Sequence, residues 1–405
     1  MQYYRRIMGK VRYIKINKWT NSVIYFVFRQ NFDNYNAVSH NIMTTLLVDT
    51  SLKYPDKRST KFKLEELYNA KLHTESDIYH NSLVTTISID SLSDKYSEEG
   101  NVLNSVKYLI DIIYKHNLND QKLFNNLVSL LKDEYNSNMC DSNFYAYVNF
   151  IMGLSDPLAK KYFKYNYENI KNIGINDILD SYKNMINSLT DIVIVGDVGD
   201  EVLELVKNIP LNNNIKYNSF DIKYYPYKKS VDKFNCSASF TKILYKIKDF
   251  NREKDHVFLV YQYILGGSPN SILFDVIREK NSLCYSINAY IKPVISSMIV
   301  SSKINRNNYL KYRELLDDII NNFSKYITLE MLENSKEYFK NIYNNYQDSH
   351  DNIYVEELKN IIYGNSIEDR ILLIDNITID DVIAFSKRII LEDEYYLEGV
   401  GNEEV

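Results

Sequence analysis

Six histidines and three cysteines are the side chains here that could ligate a metal or act as nucleophiles, and their spacing argues against most such chemistry. His40, His73, His80, His116, His256 and His350 include no pair four apart on a helix, and both HExxH and HxxEH are absent. A zinc site needs clustered His, Asp, Glu or Cys, so a site here would have to assemble from distant positions. His73 and His80 bracket what reads as a polar loop. His116 lies near a helix C-terminus, where the dipole favours a partly positive imidazole. His256 opens an apolar helix as a core or capping residue. Cys140, Cys236 and Cys284 form no CxxC, which points to free thiols in a reducing compartment.

Other catalytic patterns are missing too. There is no GxSxG, and Gly266-Gly267 is neither GxGxxG nor a P-loop. Gly266-Gly267 joins two helices, either as a C-cap followed by an N-cap at Ser268 or Asn270, or as an exposed loop that contacts a peptide. Arg278 falls late in the next helix, and Tyr285 starts the strand after it. Together a guanidinium and a phenol can hold a peptide carbonyl or carboxylate. Equally, Arg278 can stabilise its own helix end while Tyr285 packs on a sheet.

An internal repeat sets the elements that position these residues. Residues 172–186 align without a gap on residues 376–390, sharing Asn, two Ile, Asp, Lys and a final Ile. Each copy starts with a candidate N-cap, Asn176 or Asp380, continues with helical apolar spacing, and leads to a short strand ending in glycine. The first half carries strands near 22–32 and 83–90, with helices near 38–47, 61–68, 104–116 and 121–135. The second carries strands near 242–247, 284–291 and 296–303, with helices near 256–265, 271–279, 309–326 and 329–346. The fold class is therefore α+β, two similar domains from a duplication, each an antiparallel sheet with helices packed on one face. The first domain spans residues 1–209, a polar linker 210–219, and the second domain 220–405.

The 405 residues suit two such domains, and 45% hydrophobic with 25% charged residues excludes a disordered chain. No apolar run reaches the ~18–20 residues of a membrane-spanning helix, so no membrane is expected as partner. Lys+Arg 48 against Asp+Glu 53 leaves a net charge of −5, so no nucleic acid is expected either. The basic N-terminus has no apolar run before Val23 and is no secretory signal, which favours the cytoplasm.

Several segments resemble the insulinase-type (pitrilysin) metallopeptidase family in its short two-domain form. They are the Leu-Gly-Gly loop at 265–267, Ser-x-Leu-Phe at 271–274, Arg-Glu-Lys-x-Ser-Leu-x-Tyr at 278–285, the strand 192–197, and residues 47–55 and 64–70. Nearly the whole chain is covered, and the family's two similar α+β domains agree with the repeat. Active members carry HxxEH on an early helix and a further Glu on a later one. Here Asn41, Thr44 and Thr45 stand at the motif positions; a shift of one residue would offer only His40, and Glu134 is the one match to the distal Glu. The resemblance is to the inactive, HxxEH-lacking subunit of bacterial heterodimeric pairs. It implies a noncatalytic, substrate-binding subunit beside an active HxxEH-containing paralogue, with no cofactor or metal bound by this chain and zinc in the partner. It also implies that Arg278 and Tyr285 hold a peptide substrate, that Gly266-Gly267 contact it, and that the pair serves peptide maturation or elongation factor P modification. The alternatives are a structural scaffold and a stand-alone peptide-binding homologue without peptidase activity.

Overall fold

A computed structural model describes residues 4–8, 10–32, 36–79, 82–163, 167–212, 222–251 and 256–401. Among the described residues, eleven strands form two sheets: β1 (Tyr4–Met8), β2 (Val11–Lys15), β3 (Asn21–Asn31), β4 (Lys71–Tyr79), β5 (Ser82–Leu92) and β6 (Leu189–Gly196), then β7 (Lys228–Phe234), β8 (Ser239–Ile247), β9 (Cys284–Lys292), β10 (Ser297–Ile304) and β11 (Ile389–Gly399). The orders are β1-β2-β6-β3-β5-β4 and β7-β11-β8-β10-β9. Without β1 the two are the same: the first strand of each set lies parallel to the last, which pairs antiparallel with the second. This shared order supports the duplication. Both sheets are therefore mixed rather than wholly antiparallel. The single parallel pair in each joins strands from opposite ends of the set, as a long crossover allows.

The repeated closure is built alike in both copies. The helices Ile175–Ile186 and Ile379–Ser386 each lead into an interior strand, β6 or β11. Their N-caps are Gly174 and Thr378, two residues earlier than expected. In each case an aspartate three residues on reaches back, Asp177 to the Gly174 N–H at 2.8 Å and Asp381 to the Thr378 N–H at 2.8 Å. That reciprocal bond satisfies an orphan donor and fixes the helix start. At the end of β6, Gly196 has φ +134, and a Cβ there would fall 2.7 Å from the Ser22 Cα of β3. Only glycine allows that approach.

The compact units do not follow the contiguous division at residues 209 and 220. The first comprises residues 1–133, 166–220 and 346–362, and the second the remainder. Residues 210–212 are described, but 213–219 of the expected linker lie outside the described residues. Two helices thus lie in the unit built mainly from the other half: Ser142–Gly153 in the second and His350–Tyr363 in the first. They hold the same place in the two copies, shortly ahead of the closing helix and strand.

The exchange gives each sheet a covered second face, where helices on one face only were expected. In the first unit, Ala37–Asp49 packs on the face of β5 that carries Thr85. His350–Tyr363 packs on the opposite face against Val23, Tyr25, Val27 and Val84. Tyr25 stacks on Tyr354 with ring centroids 4.0 Å apart and donates to Asp351 at 2.9 Å. Arg12 donates to the buried Glu357 at 3.2 Å. In the second unit, the main core lies between one sheet face and the helices Val257–Gln262, Tyr309–Asn321 and Ile379–Ser386. On the other face, Ala146, Phe150 and Ile151 of the exchanged helix cover Phe240, Leu244 and Ile299. Residues 73–79, expected as loop, belong to edge strand β4, while His80 lies outside the described residues.

Candidate functional site

Asn41, Thr44 and Thr45 lie on the helix Ala37–Asp49, whose cap Asn36 accepts from the Val38 and Ser39 N–H groups. Thr44 is buried, and its hydroxyl donates to the carbonyls of His40 and Asn41 at 3.1 Å. Thr45 donates to the Asn41 carbonyl at 2.8 Å. Both hydroxyls thus serve their own helix backbone. His40 is 1% exposed, with Nε2 at 2.8 Å from Thr85 Oγ1 and 3.1 Å from Ser76 Oγ. These contacts tie the helix to β5 and β4. Asn41 is exposed, as is Glu134. Among the described residues, no group of three or more His, Cys, Asp or Glu could hold a metal ion. The donor set here is one amide, two hydroxyls turned onto backbone and a packed imidazole, which does not fit zinc.

His116 departs from the expected partly positive state. Burial pushes its pKa down, the ring stands edge-on to Tyr182 with centroids 4.2 Å apart, and Nδ1 accepts from the Leu118 N–H at 3.3 Å. A ring nitrogen that accepts is unprotonated, so desolvation outweighs the dipole.

The remaining candidates gather around β9, an edge strand that among the described residues pairs with β10 alone. The helix Val257–Gln262 continues as a π-helical turn, Tyr263–Gly267, and a second π-helical segment runs from Phe274 to Lys280. Gly266 is buried, and a Cβ there would meet the Ala289 N of β9 at 2.7 Å. Its need for glycine is therefore a close helix-on-strand approach. Neither Gly266 nor Gly267 has positive φ, so neither makes the expected left-handed cap. Gln262 closes the same stretch, its Oε1 accepting from the Ile291 N–H at 2.6 Å. Gly267, Pro269 and Asn270 form the exposed part of the loop.

Arg278 and Tyr285 flank a tight turn in which the Ser282 N–H donates to the Arg278 carbonyl and the Leu283 N–H to the Ile277 carbonyl, both at 3.0 Å. Arg278 is half-exposed, 4.5 Å from the centre of the Phe274 ring and 3.7 Å from a Glu279 oxygen. This Glu279 contact is a surface pair of small energy and does not immobilise the guanidinium. Tyr285 is 57% exposed. The pairing of β9 with β10 slips by one residue there: Lys303 faces Ser286 while Ile304 faces Cys284. Tyr285 is thus the extra residue of a β-bulge, a device that re-aims a side chain. Lys303 Nζ stands 5.8 Å from the centre of its ring.

A cleft of about 520 Å³ opens beside this bulge, on the sheet face where the exchanged helix Ser142–Gly153 begins. Its walls are polar, from Asn143, Ser286, Asn288, Ser301 and Lys303. Behind Asn143 and Ser301 lies Lys242, 6% exposed, donating to Asn143 Oδ1 at 3.3 Å and Ser301 Oγ at 3.0 Å. Burial pushes its ammonium down to about 8. Sequence reasoning missed this lysine because alternation along 242–247 assigns it to a water-facing side.

A duplicated α+β chain with two sheets of one strand order, and a helix with no metal ligands at the motif positions, is similar to the noncatalytic members of the insulinase-type metallopeptidases. Residues 172–339 match the family model described as the peptidase M16 inactive domain. Along the chain it is similar to the "probable inactive metalloprotease YmfF" of Bacillus subtilis (strain 168), 20% identical over 410 residues and 95% of each chain. Its fold is similar to that of a conserved protein from Enterococcus faecalis V583, with a TM-score of 0.81, 20% identity and coverage of 99% and 100% of the two chains. A peptidase M16 inactive domain from Pseudomonas fluorescens superposes with a TM-score of 0.78 at 13% identity, over all of both chains.

Proposed function

We propose that this chain is the noncatalytic, substrate-binding subunit of a heterodimeric peptidase, and that the metal resides in an active HxxEH-containing paralogue. The observation that carries this reading is the contrast between two places. His40 and Thr44 at the motif region are buried and Thr45 bonds its own helix backbone, while Arg278 is half-exposed and Tyr285 exposed beside an edge strand. An edge offers unpaired backbone groups to an extended peptide, and such pairing tolerates varied sequences. Helix contacts occupy β9 at Ala289 and Ile291, which leaves the end near Tyr285 for a peptide. There the guanidinium and the phenol O–H donate to a peptide carbonyl and hold it in register. The task we propose is peptide maturation or elongation factor P modification, in the cytoplasm, a compartment compatible with three free cysteines.

The test is co-expression with an HxxEH-containing paralogue from the same genome, followed by sizing and an assay on unstructured peptides. A stable pair that cleaves only when both chains are present is expected. Arg278→Ala should lower turnover by about tenfold or more, the range for losing one charged donor, with the pair intact by sizing. Normal turnover in that variant removes the role given to Arg278, and a chain that ignores the paralogue sinks the subunit reading.

A further inference from the structure

Two lysines are buried on one face of β8, and the fold treats them differently. Lys246 is 1% exposed and ion-paired with Asp156 at 2.6 Å. Lys242 has no carboxylate within ion-pair distance among the described residues, and no nearby acid contributes to its pKa shift. Two of its three N–H groups are directed to neutral oxygens and the Tyr147 ring lies 5.9 Å from Nζ, which leaves the ammonium without an anionic counter-ion. A buried charge without a counter-ion is costly and lowers its pKa, and an anion from outside the fold would restore the charged form.

Three further features face the cleft, and Lys242 contacts its wall of Asn143 and Ser301 from behind. Lys303, at the cleft wall, also lacks a carboxylate within ion-pair distance among the described residues; it lies over the Phe240 and Tyr285 rings at 5.9 and 5.8 Å. Ser286, Asn288 and Ser301 supply neutral donors. The twelve-residue helix Ser142–Gly153 begins at the cleft, adding the partial positive charge of its N-terminus. Asp141 is the single acid on the lining, and its Oδ1 is engaged by the Phe144 N–H at 2.8 Å.

We infer that this cleft is a carboxylate-binding subsite, in which Lys242 and Lys303 receive a carboxylate of a bound peptide, from its C-terminus or from an acidic side chain. The inference rests on the peptide-binding reading above and gives it a polarity: a peptide lying along β9 is anchored by its negative charge beside Tyr285. An apolar or basic segment gains nothing from the cleft.

The test uses the full chain with lysines labelled with ¹³C at Cε, and Lys242→Met assigns the Lys242 resonance. The probes are N-acetylglycine for a chain end, N-acetylaspartate amide for a side chain, N-acetylglycinamide as the neutral control, and inorganic phosphate. Near pH 8, a carboxylate should shift the Lys242 signal saturably towards its protonated position, while the amide leaves it unmoved. Lys303→Met should weaken that response about tenfold. Whichever carboxylate saturates at lower concentration identifies the source. No saturable response to either one, a response equal to the amide's, or a response to phosphate alone overturns the inference. Because these probes need no paralogue and no cleavage, failure here is separate from failure of the subunit reading.

Discussion

Asp156→Ala should be among the most damaging single changes in the second unit. It leaves Lys246, 1% exposed, without the carboxylate that now sits 2.6 Å from its Nζ. Removing one partner of a buried pair costs about 3–5 kcal/mol. Asp156 also caps the helix Pro157–Tyr162 through the Leu158 N–H at 2.9 Å, and loss of such a cap adds about 1 kcal/mol. Against this, Glu392 remains electrostatically coupled to Lys246, although burial raises its pKa. Partial rescue by Glu392 puts the net cost at about 3–4 kcal/mol. Urea unfolding at pH 7 measures it as a lower midpoint with the slope unchanged. The double variant Asp156→Leu with Lys246→Met replaces the pair by apolar side chains and should recover most of the loss. A cost below about 1 kcal/mol for Asp156→Ala, the scale of an exposed pair, would refute the reasoning, and with it the contrast drawn between Lys246 and Lys242.

Gly266→Ala should cost about 1–3 kcal/mol, the range for overpacking, because the new methyl would meet the Ala289 backbone at 2.7 Å; an unfolding midpoint equal to wild type would remove that contact. Stability should also fall as pH drops. Burial lowers the pKa of both His116 and His350 below their unfolded values. The unfolded state therefore binds more protons, so stability present above about pH 6.5 is lost as pH falls towards the folded-state values. His350 donates through Nε2 to the Asn21 carbonyl at 3.0 Å and packs on Trp19, so His350→Asn should flatten part of that slope in unfolding series between pH 7.5 and 5. An unchanged slope in that variant excludes His350 as a source.

The parts most legible in the sequence were those with one strong period. Strands β3, β5 and β8 and the repeated helix–strand closures carry apolar patterns that survive without tertiary context. Edge strands β4 and β7 were not legible, because one side of each pattern is exposed and the other only partly buried. Nor was the exchange of Ser142–Gly153 and His350–Tyr363, since a helix's apolar stripe does not say which sheet it covers. That same exchange explains Lys242 and Lys246. Their even positions along β8 read as facing water, and the exchanged segment buries them. At the site, Arg278 and Tyr285 were singled out by motif, whereas the bulge that turns Tyr285 outwards depends on a register with β10 that no local pattern encodes.

The crossing-over of two helices also bears on how the chain is made. Tyr25 meets Asp351 across 326 residues of sequence. At about 5–20 residues per second, a ribosome needs on the order of tens of seconds between the two. During that interval Val23, Tyr25, Val27 and Val84 have no helix to cover them. The nascent amino-terminal half is then an aggregation-prone intermediate, and a fragment ending at residue 209 would keep it so. Cutting this protein into its apparent halves would yield two incomplete cores, each lacking the helix that covers one face of its sheet.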